Sequence, residues 1–190
     1  STTNLAQRLA QVSPCRGCEP TELYAVAVSP DGQTIAATGQ AGQIFMWRTE
    51  QVANAQQPAL VVPTGARTLY SLDFSPDGGL LVAGAGDGTV VRVDVSRRVA
   101  TTLPGDLGSA QIVSAVAFQP GHGGRVAVAG SSGAASVLEV ATGAKVLGSL
   151  FSGHGYLSSL AFSPSGRLLA AASEDRGVLL WDSQTGKPQP

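Results

Sequence analysis

The chain has 190 residues, of which only 13% are charged, and its formal net charge is −1. This length is enough to bury a sizeable core, in one domain or in a piece of a larger one. So small a charge provides no basic field to hold a phosphate backbone, which argues against nucleic acid as a partner. No apolar stretch approaches the roughly 20 residues needed to cross a bilayer, so no membrane segment is predicted.

The amino-terminal part contains both cysteines of the chain, Cys15 and Cys18. Two cysteines cannot form a disulfide framework, which favours a reducing, cytoplasmic location. Two thiolates at this spacing are half of a tetrahedral zinc site, and the only histidines, His122 and His154, are far away in sequence. We favour plain loop cysteines and predict no metal and no cofactor. A metal shared with a partner chain and a redox-labile disulfide stay open as alternatives.

Four segments of the chain repeat, each ending in a proline, and these prolines are 46, 44 and 44 residues apart. A period of this size is typical of repeat architectures. Before each proline the large apolar residues alternate, which predicts a strand with one buried face. The alternating pairs are Val26 and Val28, Leu72 and Phe74, Val116 and Phe118, and Leu160 and Phe162.

Turn signals follow three of the prolines directly: Asp31-Gly32, Asp77-Gly78 and Ser165-Gly166. Glycine tolerates the positive φ of tight turns, so these pairs predict hairpins. A second strand, another glycine-rich turn, a third strand and a weaker fourth strand follow. Each repeat is therefore a four-stranded antiparallel unit without a helix, and it must stack on its neighbours to cover its apolar faces. The predicted repeats span residues 23–63, 69–104, 113–150 and 156–186.

The fourth repeat carries the most specific residues, with Gly153-His154 ahead of it, Ser173-Glu-Asp175 in its second turn and Leu180-Trp-Asp182 at its third strand. It resembles a WD40 repeat almost from end to end. The third repeat is the most degenerate, with Leu138 at the tryptophan position. The resemblance, to WD40 proteins of bacterial type, covers residues 23–186. It implies an all-β fold, a β-propeller with four WD40-type four-stranded antiparallel blades.

Closure of the ring is the open question. In this family the outermost strand of the last blade usually comes from the far end of the chain, and residues 4–13 occupy that place here, with a short helix as the alternative. After Trp181 the chain ends before a fourth strand could form. WD40 propellers usually have about seven blades. We therefore expect part of a larger ring, completed by further blades of a parent chain or by a second copy forming an eight-bladed homodimer.

His154, Asp175 and the nearby Ser173 could be mistaken for a hydrolase triad, but the resemblance implies a structural role instead. His154, Asp175 and Trp181 match three places of a buried hydrogen-bond network that ties the strands of a blade together, while Ala171 occupies the place of its hydroxyl. No Gly-x-Ser-x-Gly elbow is present. The sequence therefore predicts no enzyme and no catalytic residue.

The resemblance further implies docking surfaces on the loops that precede first strands and join second to third strands. Tyr and Arg often anchor protein interfaces, although some of these tyrosines could instead cap the core between blades. We predict a non-catalytic scaffold or sensor module, within a larger signalling or effector protein, that binds proteins or peptides. A lactonase-like hydrolase would need carboxylates in the central channel, and a TolB-like periplasmic propeller would share Ser-Pro-Asp-Gly. The predicted partner-binding residues are Tyr24, Arg67, Tyr70, Tyr156, Glu174 and Arg176.

Overall fold

A computed structural model of the chain describes residues 22–51, 58, 60–104, 111–151 and 155–190. Within these ranges the chain forms fifteen β-strands and one short 3-10 helix. The strands make up four separate sheets in chain order, and all pairing is antiparallel between consecutive strands. The predicted all-β class is confirmed.

The sheets, which we call blades 1 to 4, are simple meanders. Blade 1 contains β1 (Leu23–Val28), β2 (Thr34–Gly39), β3 (Gln43–Arg48) and β4 (Leu60–Pro63), with the 3-10 helix at Thr49–Gln51. Blade 2 contains β5 (Leu69–Phe74), β6 (Leu80–Ala85), β7 (Thr89–Asp94) and β8 (Val99–Pro104). Blade 3 contains β9 (Val113–Phe118), β10 (Arg125–Gly130), β11 (Ala134–Glu139) and β12 (Lys145–Phe151). Blade 4 contains β13 (Leu157–Phe162), β14 (Leu168–Ser173) and β15 (Gly177–Asp182).

The outer edge of blade 4 differs from the expectation that the chain ends before any fourth strand. The backbone N–H of Asp182 donates to the carbonyl of Lys187 at 2.9 Å, and that of Gln189 donates to the carbonyl of Leu180 at 2.9 Å. The last residues therefore begin to pair with β15 where a fourth strand would lie. Residues 4–13, the predicted closing strand, lie outside the described residues.

The blades pack side by side around a common axis. Their first strands lie at one edge of each sheet, and β1 packs against β5, β5 against β9, and β9 against β13. All four first strands line one groove along this axis. No comparable packing joins β1 to β13 among the described strands. The sheets thus radiate like propeller blades, but the arc that they form is open.

Between blades 3 and 4, large side chains of one sheet pack on small ones of the other: Leu169 and Trp181 of blade 4 pack on Ala127 and Ala129 of blade 3 in one buried cluster. Strand registers place these residues on matching faces, since Leu169 lies opposite Trp181 across β14 and β15. Large side chains on small ones allow two sheets to interdigitate without voids.

One prediction about buried faces is wrong in blade 1. Val26 and Val28 continue the alternating pattern, yet their side chains are 67% and 56% exposed, whereas Val116 and Phe118 of blade 3 are 8% and 6% exposed. The physical reason is that no described strand packs on β1 at this face. Alternation predicts which residues share a face but not which of them are buried, since Phe45 and Trp47 on the same face are 4% and 3% exposed.

Candidate protein-binding site

The two kinds of loop predicted to form a docking surface are adjacent in every blade. In each blade an N–H of the turn after the second strand donates to the carbonyl of the residue directly before the first strand. The four bonds join Gln40 to Glu22 at 2.9 Å, Gly86 to Thr68 at 3.0 Å, Ser131 to Ile112 at 3.1 Å and Glu174 to Tyr156 at 3.0 Å. These loops therefore form one end of the arc, which we call the docking end.

An aromatic pair stands at the docking end of blades 1 and 2. The rings of Tyr24 and Tyr70 stack with their centroids 5.5 Å apart and an interplanar angle of 6°. The Tyr24 hydroxyl donates to Glu22 Oε2 at 2.9 Å, and this hydrogen bond to a carboxylate raises the pKa of Tyr24 above its usual value. Tyr24 is 44% exposed. The pair thus offers a flat aromatic surface to solvent, and stacked rings of this kind have low conformational freedom.

The other predicted partner-binding residues lie at the same end but in two places. Arg67 is exposed in the loop that leads into β5, close in sequence to Tyr70 of the tyrosine pair. Glu174 and Arg176 are exposed in the turn between β14 and β15, and Tyr156, half-buried, precedes β13. The structure therefore groups the six residues around blades 1 and 2 and around blade 4, with blade 3 between them.

The axial groove also contains hydroxyl groups, which the sequence interpretation did not identify. The groove has a volume of about 310 Å³, and its lining includes Ser71, Ser114, Ser158 and Ser159. The Ser71 Oγ is buried without a hydrogen-bond partner, while Ser114 Oγ donates to the carbonyl of Leu157 at 2.5 Å. No carboxylate is among the described residues that line this groove. The signal was available, because tyrosine or serine occupies the second position of every first strand.

The predicted hydrogen-bond network can be followed only in part, because His154 lies outside the described residues. Asp175 accepts a hydrogen bond from Ser173 Oγ at 2.8 Å. Its carboxylate also lies against Gly155, where an added Cβ would stand 2.4 Å from Asp175 Oδ1. Trp181 is buried against blade 3. The hydroxyl that binds Asp175 thus comes from Ser173 rather than from position 171, and the role of His154 stays a prediction.

The opposite end of the arc carries aspartates with a local structural task. Asp31 accepts hydrogen bonds from Ser29 Oγ at 2.5 Å and from the N–H of Gln33 at 2.9 Å. Asp77 does the same with Ser75 and Gly79. These bonds to the charged form, the serine bond first, lower the pKa of both carboxyl groups. Their acceptor sites serve the hairpin turns.

Metal-ligating residues do not cluster in the part of the chain that the structure describes, where no group of three His, Cys, Asp or Glu side chains could hold an ion. Cys15 and Cys18 lie outside that part, so the alternatives for them are unchanged. The described residues also include no helix long and apolar enough to cross a membrane.

Several known proteins are similar to this chain. Protein HIR1 of Gibberella zeae is 26% identical over 192 residues, covering 90% of this chain and 18% of that protein. The meiotic recombination protein rec14 of Schizosaccharomyces pombe is 30% identical over 128 residues, 67% of this chain and 40% of that protein. The LST8 homolog of Drosophila melanogaster is 37% identical over 68 residues, 34% of this chain and 22% of that protein. The chain thus spans less than half the length of each, and these relatives are eukaryotic, which gives no support to a bacterial type.

The β-propeller domain of Myceliophthora thermophila Cps50 (Swd1) has the same fold in its crystal structure, with a TM-score of 0.71 at 16% identity. The alignment covers 87% of this chain and 53% of that domain. The family model of the WD domain, G-beta repeat, matches residues 11–48, 60–91 and 145–182, which leaves out most of the degenerate third repeat. These matches cover more than half of the sequence, and the chain belongs to the WD40 family.

Proposed function

We propose that this chain is part of a non-catalytic WD40 propeller that binds other proteins or peptides through its docking end. The observation that carries the proposal is the exposed stack of Tyr24 on Tyr70, a rigid apolar surface with hydroxyl groups at its rim. Tyrosine and arginine contribute a large share of binding energy in many interfaces. The names of the relatives, protein HIR1, an LST8 homolog and the meiotic recombination protein rec14, denote no enzyme, which fits this role.

The chemistry of the docking end favours a partner with an apolar or aromatic contact and few charges. Arg67 and Arg176 are offset there by Glu22 and Glu174, so no field of one sign is present among these side chains. A strongly charged polyanion would find little attraction. The hydrolase alternative has no supporting observation, since the described lining of the axial groove has no carboxylate. A cytoplasmic location remains part of the proposal.

The test is a capture experiment with matched arginine variants. The immobilised chain is incubated with a cell lysate, and retained proteins are quantified for the parent chain, Tyr70→Ala, Arg67→Ala and Arg97→Ala. Arg97 is the control, because it is an exposed arginine in the turn between β7 and β8, at the opposite end. We expect a partner that is lost with Tyr70→Ala and weakened with Arg67→Ala but retained with Arg97→Ala. Equal retention by all three variants would refute the docking end.

The network of His154, Asp175 and Trp181 is proposed as a stabilising feature of blade 4. The contact of Asp175 with Ser173 and with the backbone beside position 154 supports it. We expect His154→Ala to cost about 1–3 kcal/mol of stability, because buried partners would lose their hydrogen bonds. Chemical denaturation measures this cost. Full stability together with the loss of a hydrolytic activity would instead favour a catalytic role.

Completion of the arc that the described strands form stays part of the proposal. Further blades of a parent chain or a second copy of this chain would complete it, and the alignment to about half of a solved propeller domain is consistent with both. The docking end is present in the arc itself, so partner binding does not depend on which of the two completes the ring.

A further inference from the structure

Side chains that donate hydrogen bonds bridge neighbouring blades at the end of the arc opposite the docking end. Between blades 2 and 3, Arg92 Nη1 donates to the carbonyl of Val140 at 3.3 Å. Between blades 3 and 4, Gln119 Nε2 donates to the carbonyl of Gly166 at 2.8 Å and to Ser183 Oγ at 3.1 Å. In both interfaces a planar N–H group on a flexible stem therefore reaches from one blade to acceptors of the next.

The repeat identifies the residues of blade 1 that occupy the same places. Met46 is the fourth residue of β3, as Arg92 is of β7. Ser29 directly follows β1, as Gln119 follows β9. Met46 has no N–H or O–H in its side chain, and Ser29 Oγ donates to Asp31 in its own turn. Neither of these two counterparts therefore supplies the interface between blades 1 and 2 with the donor that the other two interfaces contain.

A pocket occupies the place of the missing donor. It has a volume of about 310 Å³, and both counterparts lie in its wall. On the side of blade 2 it is lined by Gly78 and Val95. Gly78 has the turn position of Gly166, and Val95 directly follows a third strand, as Val140 does. The carbonyls at these positions accept the bridging hydrogen bonds in the other interfaces. The pocket thus joins the place of a donor to the place of its acceptors.

The wall of the pocket suits a side chain with an apolar stem and a polar head. Its apolar part includes Met46 and Phe74, which are 4% and 5% exposed. Its charged residues are two aspartates and two arginines: Asp31, Asp77, Arg48 and Arg98. With as many carboxylates as guanidinium groups, the wall neither repels a cation nor requires one. A charged guanidinium and a neutral amide are therefore both compatible with it.

Arg98 has an unusual backbone conformation in this wall. Its φ is 61°, in the left-handed region, whereas the corresponding residues of blades 3 and 4 are Gly143 and Gly186 with φ of 72° and 70°. This conformation costs energy for any residue with a side chain, and such strain is concentrated at functional sites. The guanidinium that it places at the pocket can donate to the backbone carbonyls of an incoming chain. Arg98 therefore favours a polypeptide as the occupant.

We propose that this pocket is a second docking point, which takes an arginine or glutamine side chain of a partner polypeptide. The shared chemistry is a planar N–H donor on an aliphatic stem. The chain itself fills the two corresponding places with such groups, those of Arg92 and Gln119. The pocket lies at the end opposite the stack of Tyr24 on Tyr70, so the inference does not rest on the proposed docking end.

The first experiment titrates the complete isotope-labelled chain with three small probes and follows its amide signals by NMR. The probes are N-acetyl-arginine amide, N-acetyl-glutamine amide and N-acetyl-norleucine amide. We expect at least one of the first two to shift the signals of Gly78 and Val95 saturably, which also distinguishes a guanidinium from an amide. Norleucine has the stem without the donor and should bind about tenfold more weakly, the equivalent of one net hydrogen bond. Equal binding of norleucine, or no saturable shift with any probe, would overturn the proposal.

The second experiment fills the pocket from within. Met46→Arg and Ser29→Gln introduce the side chains that bridge the other interfaces, and each should abolish the shifts caused by the probe. Val61→Arg is the control, because Val61 is 40% exposed and lies opposite Phe45, on the other face of blade 1 from Met46. Circular dichroism checks that the variants fold, and either filled variant suffices. Binding that persists in a folded filled variant, or is lost in the control as well, would refute the site.

A converse variant tests the inferred occupant. Arg92→Met removes the bridging side chain between blades 2 and 3 and should create a second probe site, detected at the amide signal of Val140. A folded Arg92→Met chain without that site would contradict the equivalence of the two places. Tyr70→Ala separates this proposal from the docking end, since it should leave the probe shifts unchanged. Loss of the shifts with Tyr70→Ala would place the probe at the docking end and overturn the second docking point.

Discussion

Among the strands that the structure describes, blades 2 and 3 have neighbouring sheets on both faces, while blades 1 and 4 each have one on a single face. Val116 and Val26 illustrate the difference, because both occupy the fourth position of a first strand, and they are 8% and 67% exposed. The same residue in the same local pattern is a core residue in one blade and a surface residue in the other. A single blade of a repeat protein has no core of its own, and stacking creates it.

The tryptophan typical of a WD40 repeat is present in the end blades and absent from the interior blades. The fifth residue of the third strand is tryptophan in the end blades, Trp47 and Trp181, but Val93 and Leu138 in the interior blades. All four side chains are buried to at least 96%. Aliphatic side chains are thus sufficient at this position where sheets cover both faces. The degenerate repeats are therefore buried at this position as fully as the conforming ones, and conformity to the family pattern does not measure burial.

The largest expected effect tests the difference in burial directly. Phe118→Ala in blade 3 should cost about 3–5 kcal/mol, since it leaves a cavity in the cluster between blades 2 and 3. Val28→Ala, at the same position of β1, should change stability by no more than about 0.5 kcal/mol, because Val28 is 56% exposed. Urea denaturation measures both. Similar losses for the two variants would mean that the Val28 side chain is covered within the chain.

Gly84 provides a second test, at the close approach of blades 2 and 3. An added Cβ would lie 2.5 Å from the carbonyl oxygen of Val113 and 2.7 Å from its Cγ1, so β6 and β9 would have to separate. We expect Gly84→Ala to cost about 1–3 kcal/mol. Gly123→Ala is the control, since nothing lies within 4 Å of its added Cβ. The equivalent position in blade 4 is Ala172, on the open face, where the chain accommodates the methyl group. A neutral Gly84→Ala would show that the interior blades are less tightly held than the structure indicates.

Asp73 links the interior blades through a hydrogen bond that the ends lack. Its Oδ2 accepts from the N–H of Phe118 at 2.7 Å. We expect Asp73→Ala to cost about 1–3 kcal/mol, because the Phe118 N–H loses its acceptor, and Asp73→Asn to retain that bond. Thermal melts of both variants against the parent chain measure the difference.

The pH dependence of the Asp73 variants has a definite sign. Burial raises the pKa of Asp73, an effect that outweighs its backbone hydrogen bonds. A folded-state pKa above the unfolded one means that ionisation of this carboxyl opposes folding at neutral pH, and that this penalty disappears as the pH falls below the unfolded value. The advantage of Asp73→Asn relative to the parent should therefore shrink towards acid pH. An advantage that grows there would contradict a raised pKa.

The smallest expected effect concerns features that should not distinguish end blades from interior ones. Asp31 in blade 1 and Asp77 in blade 2 make the same turn bonds, and both pKa values are lowered. Asp31→Ala and Asp77→Ala should lower the melting temperature slightly and equally. A carboxyl group whose pKa is lower in the folded state stabilises the protein at pH values above its unfolded-state pKa. This stabilisation is lost as the pH falls through the folded-state pKa. The difference in melting temperature between each variant and the parent chain should therefore vanish in strong acid. A much larger effect in one blade would mean that the turn also contacts another blade.

The positions of strands and turns could be predicted because their signals are local. Alternation with period two and a turn such as Asp77-Gly78 depend on residues a few positions apart, and the repeat period then identifies the architecture. The docking end was also predictable in outline, since the family resemblance names its loops. The tyrosine stack and the serines of the axial groove were not, because they join residues of different blades.

The sequence by itself therefore determined that this chain is a set of small antiparallel sheets of the WD40 type, with the residues of each face. Only the tertiary structure decided which faces are buried, that Asp73 binds the backbone of blade 3, and that Gln119 of blade 3 donates to Gly166 and Ser183 of blade 4 at 2.8 and 3.1 Å. These contacts join residues more than 40 positions apart, and their free energy depends on how two sheets meet. Local patterns cannot encode whether a neighbour is present, which is why Val26 and Val116 have different environments.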